Sequence, residues 1–241
     1  STPAGSSAVL ELSEGAKLVI IGNTLAERMQ HDGYFETNLH LRFPTKRLSV
    51  RNLGWSADEI DLRPRSANFQ DHGHNLSDHA PQVVLAMFGF NESFAGPEGL
   101  EAFRKRFAKF LADTRAELGE GAQLVICSPI PHENLGRRTL PDGQATNANL
   151  RLYSDAMRDL CDEASVRFVD LLTPMQVAMD AATEPLTING IHLNERGNEV
   201  LAAVLDVSLF GPRPGHVAID REALRAAVLE KNQQFFFDHR A

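Results

Sequence analysis

Five short apolar runs alternate with longer segments in which apolar residues recur at helical spacing. This alternation is typical of βα units that build a mostly parallel sheet. The apolar runs predict strands at 18–21, 48–53, 83–88, 124–127 and 166–169. The longer segments predict helices at 25–41, 100–117, 149–164 and 195–208, with a more polar helix at 221–232. The pattern therefore predicts an α/β protein.

Two connections are too long and too polar to be simple turns between neighbouring elements. They run from Trp55 to Ala80 and from Pro129 to Asn147. Each begins at the carboxyl end of a predicted strand, which is the edge where open α/β sheets bind ligands. We expect the functional residues at this edge.

The chain has 241 residues, and no Gly-, Pro- or Ser-rich linker divides it. We therefore expect one domain over 1–241, with a core at about 17–209 and a helical extension at about 220–237. Hydrophobic residues make up 43% of the chain, so a sizeable core can be buried.

Charge and hydropathy exclude several classes of partner. The formal net charge of -8 has no basic stripe to offset it, which argues against nucleic acid as a partner. No apolar stretch approaches the length of a membrane span. Cys127 and Cys161 fall in a predicted strand and a predicted helix, where buried free thiols are expected. The first and last residues read as the edges of a piece cut from a longer, multidomain chain.

Polar motifs lie at four predicted strand ends or loops, and they contain the groups that acyl transfer needs. Such a reaction needs a hydroxyl within reach of a base, and hydrogen-bond donors aimed at the oxygen that becomes negative. Thr24 offers the hydroxyl and His192 the base, while the Gly54 N–H and the Asn91 amide are candidate donors. The motifs are Gly22-Asn23-Thr24, Asn52-Leu53-Gly54-Trp55-Ser56, Gly89-Phe90-Asn91-Glu92 and Asn189-Gly190-Ile191-His192.

The order and spacing of these motifs resemble the SGNH hydrolase family, also called GDSL esterases, from Lys17 to about Leu209. In that family the first block reads Gly-Asp-Ser with Ser as the nucleophile, and the matching residue here is Thr24. The oxyanion-hole positions of the second and third blocks match Gly54 and Asn91. The acid and the catalytic histidine of the last block match Asn189 and His192. The chain thus departs twice from the pattern, with Thr in place of Ser and Asn in place of Asp.

The resemblance implies a fold and an activity. The fold is a three-layer α/β/α sandwich around a five-stranded parallel sheet in flavodoxin-like order. The activity is ester hydrolysis, such as removal of acetyl from a carbohydrate, on a small acylated substrate and with neither a cofactor nor a metal. Residues beside the four matched positions are expected to contact the substrate: Asn23, Trp55, Ser56 and Glu92. The wording of the motifs is also similar to a branch found in large secreted bacterial proteins, which implies an extracytoplasmic location.

Other interpretations of the same residues stay open. Thr24-Leu25-Ala26-Glu27 fits the S/T-x-x-E capping box, so Thr24 could simply start a helix. Because two catalytic identities are changed, the chain could also be a degenerate domain that binds a ligand or a partner protein without turnover. Asp58, Glu92 and Asp170 are the acids that could support His192 in place of Asn189.

Two further groups favour ordinary surface roles over functional ones. His72, His74 and His79 lie in a polar loop without the fixed framework of a metal site, so solvated histidines are favoured. Four arginines could form a rim for an anionic or sugar substrate, although surface charge is the favoured interpretation: Arg63, Arg65, Arg137 and Arg138. No G-x-S-x-G elbow and no phosphate-binding glycine motif occurs in the chain.

Overall fold

A computed structural model of the protein describes residues 9–64, 75–213, 215 and 218–240. In this part of the chain five parallel strands form one sheet in the order β2-β1-β3-β4-β5. The strands are β1 (Lys17–Gly22), β2 (Ser49–Asn52), β3 (Val83–Met87), β4 (Gln123–Cys127) and β5 (Arg167–Val169). The predicted five-stranded sheet and its flavodoxin-like order are confirmed.

Eight helices connect or follow these strands within the described residues. They are α1 (Thr24–Asp32), α2 (Tyr34–Arg42), α3 (Leu76–His79), α4 (Gly96–Leu118), α5 (Gln144–Glu163), α6 (Leu172–Ala181), α7 (Glu195–Phe210) and α8 (Arg221–Arg240). A 3₁₀ turn at Glu92–Ala95 precedes α4. None of the described helices combines the length and apolarity that a membrane crossing requires.

Alternation along the central strands divides the core into two layers. Leu18 and Ile20 of β1 pack into a cluster with α1, α2, α6 and α7, whereas Val19 and Ile21 pack into a second cluster with α4 and α5. All four side chains are buried, because successive residues of a strand face opposite sides of the sheet. Helices therefore cover both faces, and the three-layer α/β/α architecture is confirmed.

One helix prediction was wrong, and one helix was missed. The segment 25–41 forms two helices, because Gly33 adopts the left-handed conformation (φ 67°) and its N–H bonds Met29 O at 3.1 Å, which ends α1. Helix α6 at 172–181 was not predicted, since its Pro174 reads as a helix breaker. Proline is tolerated there because the first turn of a helix needs no internal N–H donor.

The C-terminal helix α8 packs on α1 and α2. Arg225 Nε donates to Asp32 O at 2.8 Å, and Lys231 Nζ to Glu36 Oε2 at 2.8 Å. Asn232 is buried in the same contact. The predicted helical extension thus lies against the helix that carries Thr24.

Candidate active site

A cavity of about 240 Å³ lies where β1 and β3 end at the carboxyl edge of the sheet. Strand order reverses between these two strands, which is where open α/β sheets bind ligands. Thr24, Asn91 and His192 all line this cavity, and Asn23 lines it beside Thr24. The structure therefore brings together residues from three of the four sequence motifs.

Thr24 is the first residue of α1, but it does not cap the helix. The cap is Asn23, whose Oδ1 accepts the Leu25 N–H at 3.1 Å. The capping-box interpretation of Thr24 is therefore wrong. Neither the hydroxyl nor the backbone N–H of Thr24 bonds another residue in the described part of the chain. Both groups lie at the positive end of the helix, and Thr24 lines the cavity.

Asn189 holds the backbone and the ring of His192. Its Oδ1 accepts the N–H of Ile191 at 3.2 Å and that of His192 at 3.0 Å. The ring nitrogen Nδ1 lies 3.2 Å from Oδ1 and 3.0 Å from Nδ2. A protonated Nδ1 donates to Oδ1 and leaves Nε2 as a base, whereas an unprotonated Nδ1 accepts from Nδ2 and leaves Nε2 protonated. The amide accommodates both tautomers.

Burial lowers the pKa of His192 from its ordinary value of 6.5, and the positive charge of Arg28 lowers this pKa further. Both causes disfavour the imidazolium form of the ring. At neutral pH His192 is therefore uncharged, which is the state that a general base requires.

None of the three candidate acids, Asp58, Glu92 and Asp170, bonds the ring of His192. Glu92 is buried, and its two oxygens accept the N–H groups of Ile60 at 3.0 Å and Gly89 at 2.8 Å. Asp170 accepts the N–H of Thr173 at 3.1 Å. Among the described residues no carboxylate bonds His192. Asn189 is thus the side chain that holds the imidazole.

Glu92 also does not line the cavity, although the sequence predicted it as a substrate contact. Its carboxylate ties the loop after β2 to the end of β3 through two backbone groups. Burial raises the pKa of Glu92 above its ordinary value of 4.5. The residue acts as a structural tie beneath the site.

Gly54 lies outside the cavity lining, and its N–H is already engaged. The Gly54 N–H donates to Asn52 Oδ1 at 2.9 Å. A Cβ at this position would lie 2.7 Å from Glu27 N, so glycine is needed because α1 packs directly on the loop. Close packing thus explains why the second motif has a glycine at this position, without any role in binding an oxyanion.

Trp55 and Ser56 follow Gly54, and they too are absent from the cavity lining. The Trp55 N–H donates to Gly22 O at 2.9 Å, and Ser56 Oγ donates to Glu27 Oε2 at 2.8 Å. These bonds attach the loop to β1 and α1. Of the predicted substrate contacts, Asn23 is the one that lines the cavity.

Asn91 keeps donor capacity for a ligand. Its Nδ2 donates to Asp58 O at 3.2 Å, which uses one of its two N–H groups. Its second N–H and its Oδ1 bond no other described residue. Because Asn91 lines the cavity, this second N–H is a candidate donor to a substrate oxygen.

A model of the GDSL-like lipase/acylhydrolase family matches residues 22–200, which include all four motifs. The chain belongs to this family. The GDSL esterase/lipase WDL1 of Oryza sativa subsp. japonica is 31% identical over 64% of this chain and 69% of its own length. The GDSL esterase/lipase CPRD49 of Arabidopsis thaliana is 29% identical over 51% of this chain and 52% of its own length, so the chain spans about half of that relative.

A solved structure of this architecture is Axe2, an acetylxylan esterase from Geobacillus stearothermophilus. It matches 86% of this chain and 100% of its own chain, with a TM-score of 0.62 and 16% sequence identity. At this identity the match shows the shared fold. The expected family and fold are both confirmed.

Sequence reasoning missed Arg28, which lines the cavity with Thr24 and His192. Its Nε is buried without a hydrogen-bond partner, and in the described ranges its guanidinium pairs with no carboxylate. Arg28 follows Thr24 by four residues on α1, so the helical repeat was the signal that places both on one face.

Sequence reasoning also missed Glu133, which braces the chain leading to His192. Its Oε1 accepts the Leu186 N–H at 3.0 Å, and its Oε2 accepts the Thr187 N–H at 2.8 Å. The Glu133 N–H donates to Gly190 O at 2.8 Å. The Thr187 hydroxyl also donates to Oε2, so four bonds fix the segment that ends at the candidate base.

Of the remaining charged candidates, those that the structure describes are not among the residues lining the cavity. Arg137 and Arg138 are exposed, and Arg63 lies 6.0 Å from the Phe88 ring centroid. His79 ends α3. Three of the candidates, Arg65, His72 and His74, lie outside the described residues. Within the described ranges no group of three or more potential ligands is arranged to hold a metal ion.

Proposed function

We propose that this chain hydrolyses esters, with Thr24 as the nucleophile and His192 as its base. The observation that carries the proposal is that Thr24, Asn91 and His192 line one cavity at the N-terminus of α1. Acyl transfer needs a hydroxyl, a base and oxyanion donors around one carbonyl, and these three residues supply the three types of group.

In the proposed reaction Thr24 Oγ1 attacks the ester carbonyl carbon while Nε2 of His192 takes the hydroxyl proton. His192 then gives this proton to the departing alcohol, which leaves an acyl group on Thr24. A water molecule, deprotonated by the same nitrogen, releases the acid and restores the hydroxyl. Asn189 holds the ring through this cycle but cannot balance the charge of the imidazolium.

Two donors are available for the oxygen that becomes negative. One is the free Nδ2–H of Asn91. The other is the Thr24 backbone N–H, because the first N–H groups of a helix have no partner within the helix. In this proposal the Thr24 N–H takes the place that the sequence assigned to Gly54. Removal of one such donor typically costs roughly 3 kcal/mol of barrier.

The proposed substrate is an acetylated carbohydrate or a similar small ester. The cavity of about 240 Å³ favours a small acyl group, since drug-sized ligands occupy pockets of roughly 300–1,000 Å³. The shared fold with an acetylxylan esterase supports acetyl on a sugar by analogy. We further propose that 1–241 is one domain, which the packing of α8 on α1 and α2 supports. The resemblance to large secreted bacterial proteins supports the further proposal that this domain belongs to a longer, extracytoplasmic chain.

The second candidate function is binding without turnover. It is favoured by the amide at Asn189. This amide can also hold the His192 tautomer in which Nε2 carries the proton and cannot act as a base. In this alternative the cavity holds an ester or a related ligand, and no acyl group is transferred to Thr24.

Hydrolysis of para-nitrophenyl acetate and of acetylated xylo-oligosaccharides by the purified protein tests the proposal. Thr24→Val removes the hydroxyl at nearly constant shape, and Thr24→Ser keeps it. Thr183→Val, at an exposed threonine, is the matched control. We expect activity in the wild type, Thr24→Ser and the control, with a loss of about 10³-fold or more in Thr24→Val. Equal rates in Thr24→Val and the control would refute the assignment of Thr24.

If the wild type hydrolyses neither ester, the esterase proposal fails and binding without turnover remains. Thermal shift with acetylated xylo-oligosaccharides then tests the binding function, with the unacetylated oligosaccharides as the control ligands. Stabilisation by the acetylated ligands alone supports a degenerate binding domain.

A further inference from the structure

Arg28 brings a positive charge to the cavity lining, and its guanidinium has no partner among the described residues. Arg28 lies one helical turn beyond Thr24 on α1 and lines the cavity with Thr24 and His192. No Asp or Glu is among the residues lining this cavity. The buried Arg28 Nε bonds nothing in the described part of the chain.

Asp32, an acid on the same helix whose pKa responds to Arg28, does not neutralise this charge. Asp32 follows Arg28 by one further turn, and the charge of Arg28 lowers the pKa of Asp32, although burial raises this pKa more strongly. The Asp32 carboxylate instead accepts the Asn198 amide at 2.6 Å, and it forms no ion pair with Arg28. A partly buried charge without a partner is costly, so a ligand that pairs with it gains free energy.

Arg28 also disfavours protonation of His192, the proposed base of the reaction. Its charge lowers the pKa of His192 and so disfavours the imidazolium that forms when Thr24 loses its proton. A bound anion beside Arg28 would cancel this effect. The arginine therefore fits a site that works with an anionic ligand in place.

We propose that Arg28 binds a carboxylate of the substrate, so that the site prefers esters that carry a negative charge close to the scissile bond. This inference rests on the proposed ester hydrolysis. A guanidinium pairs with a carboxylate through two parallel hydrogen bonds. The apolar walls formed by Phe90, Phe94 and Ile130 contact the part of the substrate that joins the carboxylate to the ester.

Two matched pairs of esters test the preference and locate the carboxylate. Para-nitrophenyl hydrogen glutarate and para-nitrophenyl valerate differ by a carboxylate or a methyl group on the acyl side. Meta-acetoxybenzoate and meta-acetoxytoluene differ in the same way on the alcohol side. The readout is the ratio of kcat/KM for the anionic ester to that for its neutral partner. We expect a ratio of about 10 to 100 in one pair, as for hydrogen bonds to a charged group.

The variants assign the preference to Arg28. Arg28→Gln is expected to lower the ratio to about one, and Arg28→Lys to keep part of it. Arg151→Gln, at an exposed arginine of α5, is the control and keeps the wild-type ratio. An unchanged ratio in Arg28→Gln overturns the inference. The ratio is also unchanged if kcat/KM falls equally on both esters, which would mean that Arg28 acts on the oxyanion.

A binding arm separates this inference from the proposed function. If the wild type hydrolyses no neutral or anionic ester, the hydrolysis proposal fails, and thermal shift still tests Arg28. Glutarate is then expected to stabilise the wild type and Arg151→Gln but not Arg28→Gln, while valeramide stabilises none of them. Equal shifts with glutarate in all three proteins overturn the carboxylate site.

Discussion

Asn189 occupies the position from which a carboxylate would support His192. An amide leaves the tautomer of the ring undetermined, whereas a carboxylate accepts the Nδ1 proton and stabilises the imidazolium. Asn189→Asp keeps an oxygen for the two backbone N–H groups, so we expect the fold to persist and kcat/KM on an aryl acetate to rise about 10²-fold. Asn134→Asp, at an exposed residue that also accepts a backbone N–H, is the control. No gain in Asn189→Asp would argue against His192 as the base.

The pH dependence of hydrolysis reports the state of His192. The base must be uncharged, so kcat/KM rises with pH through the pKa of His192. Burial and the charge of Arg28 lower this pKa from 6.5, so the rise is expected below pH 6.5. Arg28→Gln removes one cause and moves the rise to higher pH. A pH–rate profile of both proteins on a neutral ester checks this, and a rise above pH 6.5 in the wild type would contradict it.

At the scale of single residues, the candidate site residues were predicted mainly from their positions relative to the predicted strands and helices. Thr24, Asn91 and His192 could be predicted because each follows an apolar strand or precedes a helix at one edge of the sheet. The direct packing of α1 on Gly54 could not be predicted, because one sequence does not show which elements approach each other. The unpaired state of Arg28 depends on which acids the fold brings near it, and this too is invisible in one sequence.

At the scale of elements, the loop after β4 holds the segment that ends at His192. In Glu133→Gln the side chain keeps one oxygen, which can accept from the N–H of Leu186 or from that of Thr187. The new NH₂ group then faces the other N–H, so two donors lie against each other. We expect a loss of about 1–3 kcal/mol in unfolding free energy. We also expect kcat to fall more than KM, since the base is displaced from its position. Denaturant unfolding and steady-state kinetics measure both effects.

The exposed Glu184 supplies the control for this prediction, since it lies close to the same segment. Glu184→Gln is expected to leave stability and kcat unchanged. If Glu133→Gln behaves like this control, the bonds to the Glu133 carboxylate do not position the segment.

Helix boundaries were predictable only where the sequence carries its own stop signal. The break at Gly33 could have been inferred from a glycine inside a helical pattern, and the start of α4 from Pro97 in its first turn. Helix α6 was missed because Pro174 reads as a breaker until the helix start is known. In the segment 25–41 the apolar periodicity indicated helix but did not show that the segment divides into two helices.

At the scale of the whole molecule, the buried histidines make stability depend on pH. The His132 ring is buried, and neither of its nitrogens bonds a described residue. Burial lowers the pKa of His132 from 6.5, as it does that of His192. In the unfolded chain both groups bind protons near pH 6.5, so they destabilise the fold as pH falls below this value, by up to about 1.4 kcal/mol per pH unit each.

Two acids, the partly buried Asp32 and the buried Glu92, act in the opposite direction. Burial raises the pKa values of Asp32 and Glu92, so their stabilising contributions are present at low pH and are lost as pH rises through their folded pKa values. The variants His132→Phe and His132→Leu isolate the histidine, because both remove its titration and leave the acids in place. We expect a shallower decline of Tm from pH 7 towards pH 5 in both. Slopes equal to that of the wild type would show that His132 does not contribute.

The arrangement of the sheet was the most predictable property of the whole molecule. Apolar runs separated by helical segments limit the chain to a parallel sheet with right-handed crossovers, and the family resemblance supplied the strand order. The positions of α8 and of the loop after β2 could not be predicted, because they depend on contacts between distant residues such as Lys231 and Glu36. The sequence thus identified the edge of the sheet that holds the site, while the contacts within that site required the structure.

The central claim is that Thr24 is a hydroxyl nucleophile activated by His192. An alkyl fluorophosphonate tests it most directly, because it forms a stable bond with a hydroxyl that a neighbouring base activates. Mass spectrometry of the digested protein is expected to show one adduct, on the peptide that contains Thr24. The adduct is expected to be absent in Thr24→Val and in His192→Phe. A wild-type protein without an adduct on Thr24, or with the adduct on another residue, would contradict the account.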